Sequence, residues 1–143
     1  MEEKRKYDLE ERLIVFAVLI IKIIESLYNT KAGNHIAGQL VRSGTHPALH
    51  YGEAQSAESR ADFIHKIKVL LKELRESRNA LNIIKRVPLS DKMDIVEKGF
   101  NESNELISIF MKSAETAQNN MEAEKKEKAK NKKRKGQEQE SNS

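Results

Sequence analysis

Nine consecutive apolar residues, Leu13 to Ile21, sit inside a segment whose apolar positions otherwise recur at helical spacing. A helix on the outside of a small bundle needs one apolar stripe, at three- and four-residue intervals. Leu13, Phe16, Ile20, Ile23 and Leu27 supply that stripe. Ile14, Val15, Val18 and Ile21 point elsewhere and in a lone chain would meet water. A contiguous exposed apolar patch marks a protein partner, so these four residues form the predicted oligomer interface. The run is shorter than the roughly 20 residues that cross a bilayer, and Lys22 ends it, so no membrane association is expected. The mixed charges of Met1 to Glu11, with no small-residue cleavage site after them, do not resemble a secretory leader.

The rest of the chain reads as helices of one domain. Charged residues make up 34% of the 143 and aromatics 5%, with two prolines and no Trp, a balance that favours long helices over a sheet. No cysteine is present, which excludes a disulfide framework, thiolate catalysis and cysteine-ligated zinc. It also fits a reducing compartment, and a cytoplasmic location is expected. Charge is unevenly spread. Residues 1–121 carry 18 Lys and Arg against 17 Asp and Glu, whereas residues 122–143 carry 8 against 5.

Four helical segments follow from the periodicity. The first spans about Asp8 to Tyr28, with Gly33 in the turn after it. The second, about Asn34 to Gln55, contains Gly38, Gly44, Gly52 and Pro47; an interior proline costs about 3 kcal/mol, so a bend or break is expected near Gly44 to Pro47. In the third, Ser59 and Asp62 resemble a capping box. Phe63, Ile67, Leu70, Leu74, Ser77, Leu81 and Ile84 then form an unbroken bundle seam. Val87-Pro88-Leu89 ends it, and Ser90 is the expected N-cap of the fourth. Its seam is Met93, Val96, Phe100, Ser103, Ile107, Phe110, Ala114 and Ala117. Short connections make neighbours antiparallel, so the predicted fold is all-α, an antiparallel up-down-up-down four-helix bundle over residues 1–121. Residues 122–143 hold no apolar residue larger than Ala. They are expected to be a disordered basic tail carrying Lys132, Lys133, Arg134 and Lys135.

The segment Gln39-Leu40-Val41-Arg42-Ser43-Gly44-Thr45, then Tyr51-Gly52-Glu53-Ala54, Phe63-Ile64-His65-Lys66-Ile67 and Leu71-Lys72-Glu73 with Glu76, is distinctive as a set. It resembles the four-helix-bundle proteins encoded in intervening sequences of bacterial 23S ribosomal RNA genes. Tyr7-Asp8-Leu9-Glu10-Glu11-Arg12 suits the same family, and the likeness runs from Tyr7 to Gln118. It implies a homopentamer without established enzymatic activity. Distant relatives of that fold are accessory subunits of the reverse transcriptase in diversity-generating retroelements, where they contact nucleic acid. Pro47 departs from the family pattern, as does Asn79-Ala80, where an aromatic pair is common.

Few residues suggest catalysis. No phosphate-cradling glycine loop is present, and no nucleophile–base arrangement stands out. His46, His50 and Glu53, spaced four and three apart, share a helix face, but Pro47 lies among them and no second Glu-x-x-His faces them. They read as a polar face, so no metal and no cofactor is expected. Arg42, Glu53 and Glu76 suit a structural ionic network between the second and third helices. Opposite the third-helix seam lie His65, Lys68, Lys72, Arg75, Asn79, Asn82 and Arg86, a row with no acid. Lys68, Lys72, Arg75, Asn79 and Arg86, with Lys132 to Lys135, are the expected contacts to nucleic-acid phosphates. Two functions remain open. One is a non-enzymatic oligomer that associates with RNA or DNA, and the other is an oligomeric scaffold for another protein.

Overall fold

The computed structural model describes residues Glu2–Ser141. They form four helices, α1 (Glu2–Glu25), α2 (Lys31–Gln55), α3 (Arg60–Arg86) and α4 (Met93–Ser141), with no strand among the described residues. Each helix packs on two neighbours in a ring: α1 on α2 and α4, and α3 on α2 and α4. None of the described helices is long and apolar enough to cross a membrane.

The helical stripes meet as their spacing demands. Leu13, Phe16, Ile20 and Ile23 of α1 are fully buried, together with Ile67, Leu70, Leu74, Leu81 and Ile84 of α3. Val96, Ile107 and Phe110 bring in α4, and the Phe110 ring meets Tyr51 of α2 edge-on, with centroids 5.7 Å apart. A buried polar contact joins α2 and α3: the hydroxyls of Ser43 and Ser77 are 2.9 Å apart, and Ser77 Oγ donates to the Glu73 carbonyl oxygen over 3.0 Å. Pairing the two hydroxyls removes the cost of burying either alone.

Two glycines set the helix spacing. A Cβ on Gly44 would come within 2.6–3.0 Å of three side-chain atoms of Ile20, and one on Gly99 within 2.8 Å of Ile23 Cδ1. The stripe of α1 therefore lies against bare backbone on both neighbouring helices. The connections are fastened as well. Tyr28 N donates to Leu89 O over 2.8 Å, and the hydroxyls of Ser26 and Ser90 are 2.8 Å apart, which ties the α1–α2 link to the α3–α4 link. At one side of the bundle Arg12 grips Glu102, through Nε at 3.0 Å and Nη2 at 2.6 Å, and also Glu105. On another, Lys85 Nζ is 2.7 Å from Glu97.

Several expectations need correction. α2 runs through Pro47 without interruption. It also starts earlier than expected, at Lys31, because Thr30 Oγ1 accepts from Gly33 N at 3.0 Å and caps it. Ser59 caps α3 as expected, accepting from Asp62 N at 3.1 Å. Ser90 does not cap α4. It is buried, and its hydroxyl accepts from Lys92 N at 3.0 Å, ahead of the helix, while also meeting Ser26.

The expected disordered tail is helical instead, continuing α4 to Ser141; Asn142 and Ser143 lie outside the described residues. The disorder expectation rested on the lack of buriable surface. Lys, Glu, Gln and Ala nevertheless have high intrinsic helix propensity, which needs no burial. Arg60 Nη2, 2.6 Å from Glu124 Oε1, fastens the start of the extension to α3 and holds the Glu124 carboxyl below its usual range. Beyond Glu124 the helix projects about 25 Å at 1.5 Å per residue.

Gly44 and Gly38 give a paired test on one helix. Gly44→Ala gains up to about 1 kcal/mol of helix propensity but overpacks against a fully buried β-branched side chain, at about 1–3 kcal/mol. It lowers the urea midpoint. Gly38, with no neighbour within 4 Å of its added Cβ, has no such penalty, so Gly38→Ala raises the midpoint by the equivalent of about 0.5–1 kcal/mol. A stabilised Gly44→Ala protein would contradict the close approach of α1.

Candidate functional site

The basic row on α3 emerges as one solvent-facing stripe. Lys68, Lys72, Arg75, Asn79 and Arg86 are all exposed, with His65 at one end. Their spacing of three, four and seven keeps them on the side opposite Leu70, Leu74, Leu81 and Ile84, whose burial orients the helix. No ion pair within 4 Å engages Lys68, Lys72, Arg75 or Arg86 among the described residues. Arg86 Nε donates to Asn82 Oδ1 over 3.2 Å, which leaves the rest of its guanidinium available. The paired Lys66 lies off this row: its Nζ is 2.9 Å from Asp62, and that hydrogen bond holds the Asp62 carboxyl below its usual range.

Lys132, Lys133, Arg134 and Lys135 differ in form. They are exposed on the α4 extension. Four successive helical residues fan through about 300°, so they surround the helix and do not line one side. The α3 stripe presents a directional array, whereas the extension presents a cationic rod.

The α1 patch is open to solvent in the single chain. Ile14 is 43%, Val15 53%, Val18 47% and Ile21 45% exposed, although the core residues between them are fully buried. Val15 also borders a groove between α1 and α4, lined by Leu19, Lys98, Asn101, Glu102 and Glu105. The groove floor is apolar and its α4 rim is polar.

The ionic network expected from Arg42, Glu53 and Glu76 does not form. All three are exposed, and no ion pair joins them among the described residues. Ser43 and Ser77 occupy the α2–α3 seam, and the residue preceding each is turned about 100° away around its helix. The carboxylate that enters this seam is Glu73, whose side chain is 14% exposed. Glu73 Oε1 is 3.4 Å from His46 Nδ1, and Glu73 Oε2 is 3.1 Å from His50 Nδ1. The two imidazoles lie 5.2 Å apart, centroid to centroid. Glu53, their sequence neighbour, instead borders a shallow depression with His50, His65 and Lys66. The four-residue spacing of the histidines was visible in the sequence. Their partner was not, because it depends on the register of α3 against α2.

No known family profile matches the chain, and no curated protein matches it. It is similar to the solved structure of a protein of unknown function from the S23 ribosomal protein family of Bacteroides thetaiotaomicron. The two share 28% identity and a TM-score of 0.68, over 77% of this chain and 97% of the other.

Proposed function

We propose that this chain acts by binding and not by catalysis, as an oligomeric cytoplasmic four-helix-bundle protein that associates with RNA through backbone phosphates. The observation that carries the reading is the α3 stripe. Its unpaired Lys and Arg side chains stand in the spacing and exposure that contact with a phosphate backbone uses. The cationic extension of α4 adds a second, non-directional attraction. Scarcity of exposed aromatics argues against base stacking, so sequence preference is expected to be weak. Similarity to an S23-family structure supports the narrower reading of a protein encoded in a 23S rRNA intervening sequence. The pairings Ser43–Ser77, His50–Glu73 and Lys85–Glu97 favour the antiparallel up-down-up-down order.

A second reading, an oligomeric scaffold for another protein, draws on the same α1 patch that the oligomer uses. Four large aliphatic side chains near half exposure on one helix are costly to leave in water, each forgoing roughly half of the 1.5–3 kcal/mol that full burial contributes. Association of copies through Ile14, Val15, Val18 and Ile21 removes that surface, and five copies follow from the family resemblance. Repetition would also multiply the number of α3 stripes.

Two measurements test these proposals. Light scattering after size exclusion is expected to find a stable oligomer at micromolar concentration, and Ile14→Glu with Val18→Glu to release monomers or insoluble chain. A wild-type monomer sinks the assembly. For RNA, fluorescence anisotropy at low salt is expected to show binding that weakens with a log–log salt slope of about −0.7 per phosphate contacted. Lys68→Glu with Arg75→Glu should abolish it in an intact oligomer, whereas truncation after Asn120 should only weaken it. Loss on truncation with retention in the charge-reversed protein would reduce the stripe to a solvated face. An oligomer that binds neither RNA nor DNA leaves the scaffold.

A further inference from the structure

The cluster of His46, His50 and Glu73 is not absorbed by nucleic-acid binding or by assembly. We infer that it is a binding site for a borderline divalent transition cation of the Zn²⁺ class. His46 and His50 are one helical turn apart on α2, the spacing at which two imidazoles on one face chelate a single zinc ion. Glu73 supplies a third donor from the opposite helix. One donor atom from each of the three lies within 4.8 Å of the others. His46 Nδ1 is 3.4 Å from Glu73 Oε1, and His50 Nδ1 is 3.1 Å from the other carboxylate oxygen, Oε2. Metal–ligand bonds of about 2.0–2.1 Å at tetrahedral angles place neighbouring donors about 3.3 Å apart, so each histidine–carboxylate edge already has that length and a cation draws the remaining donors together from within 4.8 Å. Metallation through Nδ1 leaves each ring its proton on Nε2, and one dication replaces the two N–H donors that otherwise face the carboxylate.

Exposure grades across the cluster. The Glu73 side chain is 14% exposed, that of His50 28% and that of His46 37%. The carboxylate sits at the base, and the outer side is open to water as a fourth ligand, as in zinc sites with two His and one Glu. Beneath it, the Ser77 hydroxyl donates to the Glu73 carbonyl and accepts from the Ser43 hydroxyl, which holds the register of the two helices where the donors meet. The donor set also selects the metal. Two imidazoles suit zinc, copper, nickel and iron, while Mg²⁺ and Ca²⁺ favour all-oxygen shells.

Calorimetric titration of the full-length, chelator-stripped protein with Zn²⁺ tests the site, with Mg²⁺ as the comparison. Cobalt titration reads tetrahedral coordination through its visible d–d absorption. One Zn²⁺ per chain is expected, with affinity at least about tenfold weaker in His50→Gln and Glu73→Gln, unchanged in His65→Gln, and no saturable Mg²⁺ uptake. The Co²⁺ band should vanish in the same two variants. Absence of saturable Zn²⁺ binding by the folded wild type overturns the site, as does Zn²⁺ binding of wild-type affinity in His50→Gln. If circular dichroism shows Glu73→Gln to be unfolded, His46→Gln takes its place, and retained affinity there likewise overturns it.

Discussion

The close approach of α1 to its two neighbours is the constraint on which the other contacts depend. Ile20 lies over Gly44 of α2, where an added Cβ would meet three of its atoms at 2.6–3.0 Å, and Ile23 lies over Gly99 of α4, where an added Cβ would meet its terminal Cδ1 at 2.8 Å. That approach lets four fully buried residues of one helix reach the common core. It also fixes what α1 turns outward. Burial of Leu13, Phe16, Ile20 and Ile23 leaves Ile14, Val18 and Ile21 on the far side, since the two sets are displaced around the same helix. The exposed aliphatic patch is therefore a geometric consequence of the core and not a separate feature.

Polar contacts then set register in a bundle whose apolar seams alone tolerate sliding by a turn. The Ser43–Ser77 hydrogen bond aligns α2 with α3, and Arg12 with Glu102 and Glu105 aligns α1 with α4. Desolvation separates the two. The serine pair is buried, so losing one partner strands a polar group at about 1–3 kcal/mol. Glu105 is 68% exposed, and solvent screening leaves its link to Arg12 worth far less. Alignment of α2 with α3 also decides which carboxylate meets His46 and His50.

Charge is divided between two structural settings. On α3 a strong apolar seam holds one side inward, so the basic stripe inherits a fixed direction. On the α4 extension no seam exists beyond Met121, and the charges of Lys132 to Lys135 point around the axis.

Apolar periodicity made much of this legible in advance. The α3 seam, the buried stripe of α1 and the Ser59 cap were all readable, because a 3.6-residue repeat and a capping hydroxyl act within one helix. The exposure of Ile14, Val15, Val18 and Ile21, and of the α3 stripe, followed from the same repeat. Contacts between helices were not readable. Arg42, Glu53 and Glu76 looked suited to pairing, yet all face solvent, and Ser90 serves the link to Ser26 in place of capping α4. The extension was misjudged because only burial was counted, and local propensity carries a helix without it. Sequence by itself determined which face of each helix is apolar and which is basic, since those properties arise within a few residues. Tertiary structure alone decided the partners across each seam, including Glu73 beside two histidines, because register depends on how whole helices pack against one another, as at the Ser43–Ser77 contact of α2 with α3.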